Sequence, residues 1–189
     1  MKNAVRAALG LLATALALTP AMATTAVERS ETDLIQESAI IVTGHCIHLQ
    51  SQWLDRDLVT IATISISEAL KGQAGTAVTV VLPGGIDTHR RVPIAMTFPA
   101  APQISQQEDV LLFLRPADRF ANGYTIVGFS QGKFTLADNE QGQKLASQNL
   151  SALNLQGRTG AVTRGRAKTL LLSELRQKIQ ETLAAERPR

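Results

Sequence analysis

The chain contains 189 residues, 44% of them hydrophobic, and carries a formal net charge of +3 at pH 7. This near-neutral charge argues against nucleic acid as the main partner, because affinity for a phosphate backbone depends on concentrated positive charge. The single cysteine excludes an intramolecular disulfide, so the fold must be stabilised by apolar packing.

The first 23 residues have the pattern of a secretory signal peptide. Lys2 and Arg6 provide a positive start, the apolar stretch 7–18 follows, and a small-x-small motif ends at Ala23. The apolar stretch is too short to span a bilayer as a helix, which needs about 20 residues. We therefore expect cleavage near Ala23 and a periplasmic or extracellular location.

Residues 24–137 are predicted to form one β-rich domain. A short helix is expected to begin at Ser30, which can act as an N-cap, and to run to about Ser38. Runs rich in β-branched residues predict five strands, and a sixth if the last one continues to residue 136. These strands are 39–49, 58–67, 76–82, 110–115 and 124–129. Trp53 then lies in the connection between the first two.

The segment 83–108 has no clear periodicity and contains four prolines. Segments this long inside a compact domain tend to be functional or mobile. Within it, residues 87–91 (DTHRR) place two guanidinium groups beside an imidazole, and arginine clusters suit recognition of carboxylates or phosphates. A solvated loop that covers one end of the barrel is the preferred interpretation of these charges, because loops gather charged residues in general. The lone tryptophan, Trp53, either anchors a partner or covers one end of the domain.

The C-terminal part is predicted to contain a polar connector, 138–167, and an amphipathic helix, 168–186. Leucine and isoleucine recur at positions 172, 175, 179 and 183, which gives the helix one apolar stripe. Residues 151–189 hold eight basic and three acidic side chains. This basic tail is either a solvated segment or a surface that meets anionic lipid or an acidic protein.

The stretch 44–48 (GHCIH) holds the only cysteine and two of the three histidines. Thiolate and imidazole are common ligands of zinc and copper. Because side chains alternate along a strand, we expect Cys46 and His48 on the inner face and His45 on the outer face. Two ligands on one face are too few for a zinc site; the distant His89 could be a third, but nothing in the spacing requires it. The preferred interpretation is that Cys46 is a small buried residue with a raised thiol pKa.

Four sequence runs, in their order, resemble netrin-like domains, a family that includes the tissue inhibitors of metalloproteinases. The runs are Ser38 to Cys46, Ile64 to Gly72, Val78 to Leu82 and Glu108 to Leu114. A group of exported bacterial proteins is similar as well, including the ending Gln131 to Phe134. The resemblance implies a five-stranded OB-like barrel with flanking helices. The expected mature chain begins at Thr24, so it lacks the N-terminal cysteine by which those inhibitors bind the zinc of a protease.

The predicted fold class is therefore mainly β, with a small antiparallel OB-like barrel of five to six strands, a short N-terminal helix and an amphipathic C-terminal helix. The expected domains are a signal peptide (1–23), the barrel (24–137), the connector (138–167) and the helix (168–186).

No catalytic motif stands out, so we expect a non-enzymatic binding module without a cofactor. Its partner would be a protein, with an exported protease as one candidate, and the partner-binding residues would be Trp53, His89, Arg90 and Arg91. Two alternatives remain open. One is a metal-dependent enzyme that uses Cys46, His48 and His89. The other is a membrane-surface protein that uses its basic tail.

Overall fold

The computed structural model of the protein describes residues 24–186, so the predicted signal peptide lies outside the described residues. The described chain is mainly β and has two α-helices, which confirms the predicted class at this level. Helix α1 is Glu31–Glu37 and helix α2 is Leu172–Glu186. The strands are β1 (Thr24–Val27), β2 (Ile40–Leu54), β3 (Asp57–Lys71), β4 (Ala77–Pro83), β5 (Gly85–Asp87), β6 (Ile94–Met96), β7 (Asp109–Pro116), β8 (Gly123–Ile126), β9 (Lys133–Asp138), β10 (Lys144–Asn149), β11 (Leu153–Gln156), β12 (Val162–Arg164) and β13 (Ala167–Leu171).

Eight strands form one sheet in the order β13-β10-β9-β7-β2-β3-β4-β8. Strand β8 also pairs with β7, so the pairings link β7, β2, β3, β4 and β8 in a ring. Most neighbours are antiparallel, but β4 and β8 run parallel. Strand β1 pairs in parallel with β11, which also pairs with β12, and β5 and β6 form a hairpin of their own.

Strand β7 separates two apolar cores, which explains its uninterrupted hydrophobic sequence. Val110, Leu112 and Leu114 point into a first core with the alternating residues of β2, β3 and β4. Leu111 and Phe113 point into a second core on the other face. This second core holds the apolar sides of both helices. The sheet is therefore covered by helices on one face, while the first core lies on its other face.

Helix α1 forms where the sequence predicted it. The Ser30 side chain accepts a hydrogen bond from the Asp33 amide, and the Asp33 carboxylate accepts one from the Ser30 amide, which is a complete capping box. The helix ends at Glu37, with Ser38 as the C-cap. Leu34 and Ile35 are its buried residues and join the second core.

The polar connector predicted at 138–167 is wrong as a description of this region. Strands β10, β11 and β12 lie within it, and β13 follows at Ala167. Strand β10 was not predicted because it buries only Ala146 and Gln148, and its sequence therefore shows no hydrophobic alternation. The C-terminal helix begins at Leu172 rather than at 168, because residues 167–171 pair with β10.

Candidate functional site

The β5–β6 hairpin, in the first half of the long segment 83–108, is fastened to the ends of β2 and β3. Thr60 Oγ1 donates to the carbonyl of Gly84 at 2.8 Å, and the amide of Ile86 donates to Ser51 Oγ at 3.1 Å. Gly84 has a φ of +91°, and a Cβ there would lie 2.7 Å from the carbonyl oxygen of Met96. Because an isolated two-stranded hairpin is marginally stable in water, these contacts hold it in place.

Asp87 joins the hairpin to Trp53. Trp53 lies near the end of β2, so the prediction that it lies in a loop is wrong. The indole Nε1–H of Trp53 donates to Asp87 Oδ2 at 2.8 Å, and Arg90 Nε donates to the same oxygen at 3.0 Å. The Arg90 guanidinium also lies over the Trp53 ring, 5.3 Å from its centroid. We call Trp53, Asp87 and Arg90 the Trp53 cluster.

The carboxylate of Asp87 is the centre of this cluster. Its side chain is only 11% exposed. The hydrogen bond from Trp53, together with those from the His89 amide and from Arg90, lowers the pKa of Asp87 to about 2. Asp87 therefore stays ionised at any ordinary pH, and the positions of Trp53 and Arg90 are fixed by a permanent charge.

Four residues around the cluster face solvent. The side chain of His89 is 92% exposed, and Val92 and Ile86 are 71% and 58% exposed. Arg91 is exposed and has no ion-pair partner within residues 24–186. We call Ile86, His89, Arg91 and Val92 the hairpin surface. The structure thus brings the four predicted binding residues together, but it divides their roles: Trp53 and Arg90 form the support, and His89 and Arg91 are presented.

A groove runs between the hairpin and the stretch Pro102 to Ile104. Its volume is about 350 Å³, and its floor includes Leu82 and Ile104, which belong to the first core. No ionisable residue lines it in the described part of the chain. We call it the hairpin groove.

The residues of the GHCIH stretch are not arranged for metal binding. Cys46 is fully buried in the first core, as predicted, and burial raises the pKa of its thiol. His48 is exposed, which contradicts the prediction that it shares the inner face with Cys46. A bulge between Cys46 and His48 shifts the register of β2 against β3 and turns His48 outward.

The three histidines therefore lie in different environments. His45 Nδ1 lies 2.8 Å from Asp109 Oδ1 and its Nε2 lies 2.5 Å from Gln107 Oε1, so both ring nitrogens face acceptors and the pKa of His45 is raised. His89 belongs to the hairpin. Within residues 24–186, no group of three or more His, Cys, Asp or Glu residues is placed to hold a metal ion.

Four of the six basic residues in the described part of the C-terminal region, 151–186, form ion pairs with acidic residues from earlier in the chain. Lys168 and Lys178 both donate to the carboxylate of Glu31, at the start of α1. The remaining pairs join Arg158 to Asp33 at 2.8 Å and Arg176 to Glu68 at 2.5 Å. None of the helices in residues 24–186 has the length and apolar character needed to cross a membrane.

No protein-family model matches the chain, and no curated protein matches it significantly.

Proposed function

We propose that this protein is an exported, non-enzymatic binding module that recognises a protein partner through the hairpin surface. The observation that carries the proposal is the Trp53 cluster. The ionised Asp87 accepts hydrogen bonds from Trp53, Arg90 and the His89 amide, and so orders the backbone that presents His89, Arg91 and Val92 before any partner arrives. Binding to a surface that is already ordered loses less conformational entropy.

The chemistry of the surface favours a protein partner. Exposed aliphatic side chains lie beside Arg91, which has no ion-pair partner among the described residues, and next to the only tryptophan of the sequence; this combination is typical of interface centres. Arg91 suits a carboxylate of the partner, because Arg90 is already neutralised by Asp87. An exported protease stays one candidate partner.

We also propose that the ring of strands β7, β2, β3, β4 and β8 is an OB-like barrel of the netrin-like kind. The pairing of β8 with both β4 and β7 supports this, as does the core enclosed between those strands. In such folds the loops at the barrel ends carry recognition. The hairpin surface follows β4 and therefore occupies such a connection.

A capture experiment tests the proposal. The immobilised mature chain is incubated with the exported-protein fraction of the cells that make it, and bound proteins are identified by mass spectrometry. The double variant Arg91→Glu, Val92→Ser changes only exposed side chains, so it should keep the melting temperature and lose at least tenfold in captured partner. Arg115→Glu reverses an exposed arginine on β7 and is the matched control, which should capture normally. Equal capture by the double variant and the wild type would contradict the proposal.

A further inference from the structure

In the strand order of the eight-stranded sheet, β13 is the terminal strand with a free edge. At the other end of the order, β8 pairs with both β4 and β7, so the sheet turns back on itself there. Strand β13 pairs with β10 on one side and, within residues 24–186, with no strand on the other. Its first three residues, Ala167, Lys168 and Thr169, are exposed. An exposed edge of this kind is a template for pairing with a further strand.

The register of β13 against β10 shows which backbone groups face this edge. The amide of Leu150 donates to the carbonyl of Arg166, so these two residues are a hydrogen-bonded pair of the antiparallel ladder. Because such pairs alternate along the ladder, the N–H and C=O groups of Lys168 and Leu170 point to β10. The groups of the alternate residues point into the free edge; these residues are Ala167, Thr169 and Leu171. Leu171 directly precedes α2, so its carbonyl accepts the first hydrogen bond of that helix.

The side chains of β13 leave the edge uncovered. Lysine often blocks an edge strand, but Lys168 is turned inward: its Nζ donates to Glu31 Oε1 at 2.6 Å and lies 5.5 Å from the centroid of the Phe134 ring, two strands away. Thr169 Oγ1 also faces inward, 3.1 Å from Ser147 Oγ of β10. The pairing of β13 with β10 has a continuous register, and the strand contains no proline. Strand β13 therefore lacks the usual protections of an edge.

Water solvates these backbone groups in a single copy of the chain, so the choice of partner depends on the side chains. The sequence AKTLL of β13 is complementary to itself when two copies run antiparallel about a twofold axis at Thr169. The two Thr169 residues then exchange both of their hydrogen bonds, and the Leu171 N–H of each copy meets the Ala167 C=O of the other. Lys168 lies opposite Leu170, so no like charges face each other along the strand.

Other registers of two β13 strands fit less well. An axis at Lys168 would place two lysines opposite each other, and an axis at Leu170 would place Ala167 opposite the first turn of α2. Helix α2 does not cover the edge, because its buried side chains pack in the second core, on a face of the sheet. We propose that β13 pairs with β13 of a second copy of this chain, antiparallel about an axis at Thr169, so that the two sheets join edge to edge.

Sedimentation equilibrium of the full mature chain tests the proposal. The contact is short, so a dissociation constant on the order of 100 µM is expected. Thr169→Lys places two like charges at the axis and should weaken the association at least tenfold. Thr169→Gln extends the side chain without a charge, so it is the matched control and should associate like the wild type. Both variants should keep the wild-type melting temperature, because residue 169 is exposed.

A cysteine at the axis provides a second, covalent readout. Directly opposed residues of a hydrogen-bonded pair have Cα atoms about 5.5 Å apart, within the range that a disulfide spans. Thr169→Cys should therefore form a disulfide-linked dimer under mild oxidation, at least ten times faster than Thr163→Cys. Thr163 is an exposed threonine on β12, away from the axis, and is the matched control position. Cys46 is fully buried, so it does not compete.

The remaining outcomes decide against the proposal. A wild-type chain that stays monomeric at millimolar concentration, or association that Thr169→Lys does not weaken, would overturn it. Equal cross-linking of Thr169→Cys and Thr163→Cys would mean chance collision. If Thr169→Cys, oxidised in the exported-protein fraction, links to another protein instead of to itself, the edge takes a foreign strand and the second copy is rejected. The inference does not depend on the hairpin surface, so the variant Arg91→Glu, Val92→Ser should associate normally.

Discussion

Two basic regions of this molecule use the same residue types in opposite ways. In the C-terminal region, Lys168, Lys178 and Arg176 are paired with acidic residues that lie more than 100 positions earlier in the chain. In the hairpin, only Arg90 is firmly paired, and its partner is three residues away. The first region fastens β13 and α2 to α1 and β3, whereas the second leaves Arg91 without an ion-pair partner among residues 24–186. A count of basic residues cannot distinguish these cases.

The apolar residues of the two regions also differ, because those of the C-terminal region are buried and those of the hairpin are exposed. Helix α2 buries Leu175 and Ile179 at 1% and 0% exposure in the second core. The hairpin exposes Ile86 and Val92 and is held mainly by hydrogen bonds to β2 and β3. We therefore expect changes in the C-terminal region to alter stability and changes in the hairpin to alter binding.

The largest effect is expected for Leu175→Ala. Truncating this fully buried side chain should lower the free energy of unfolding by about 2–5 kcal/mol, because apolar contact is lost and a cavity remains. Val92→Ala, in the exposed hairpin, is the control and should change it by less than about 0.5 kcal/mol. Urea denaturation measures both. Similar small effects for the two variants would mean that α2 is a loosely attached tail.

A smaller effect is expected for Glu31→Gln. Burial raises the pKa of Glu31, but the hydrogen bonds from Lys168 and Lys178 outweigh it, so the pKa lies below its usual value of 4.5. The ionised form therefore stabilises the fold above about pH 4.5, and this contribution disappears as the pH falls through the lower native pKa. The variant should lose about 1.5–3 kcal/mol of unfolding free energy at pH 7, the range for hydrogen bonds to a charged group.

Urea denaturation at several pH values checks this prediction. The difference in unfolding free energy between the wild type and Glu31→Gln should be constant from pH 7 to about 5 and should shrink below pH 4.5. A difference that does not depend on pH would show that the carboxylate charge is not what fastens the C-terminal region.

The smallest change is expected in a pKa rather than in stability, for Trp53→Phe, which keeps an aromatic ring but removes the indole N–H. Because the Trp53 hydrogen bond is the main cause of the low pKa of Asp87, that pKa should rise from about 2 toward the ordinary 3.8. Carboxyl carbon chemical shifts, followed against pH, measure it. The pKa of Glu31, in the other region, serves as the internal control and should not move. An unchanged pKa of Asp87 would show that Trp53 does not donate the hydrogen bond that joins it to the hairpin.

Local signals in the sequence predicted their structures correctly. Helix α1 is specified by Ser30 and Asp33, three residues apart, and the hydrophobic runs around Val42 and Leu112 form strands of the main sheet. The burial of Cys46 also follows from its position in such a run. These features depend on neighbours that are close in the chain or on a regular pattern, and both can be read from residues alone.

Features that depend on distant residues were not predictable. The outward turn of His48 results from a bulge against β3, which the alternation of β2 does not reveal. Asp87 organises the candidate site only because Trp53, 34 residues earlier, donates to it. In the sequence, Asp87 is one acidic residue beside two arginines, and the closest available signal was its place in the DTHRR stretch.

Two charge reversals compared side by side test the central claim most directly, namely that the hairpin binds and the C-terminal region stabilises. Arg91→Glu should keep the wild-type melting temperature and lose most partner capture. Lys178→Glu places a second carboxylate against Glu31, so it should melt several degrees lower yet capture the partner normally below its transition. Normal capture by Arg91→Glu, or loss of capture by folded Lys178→Glu, would contradict the account.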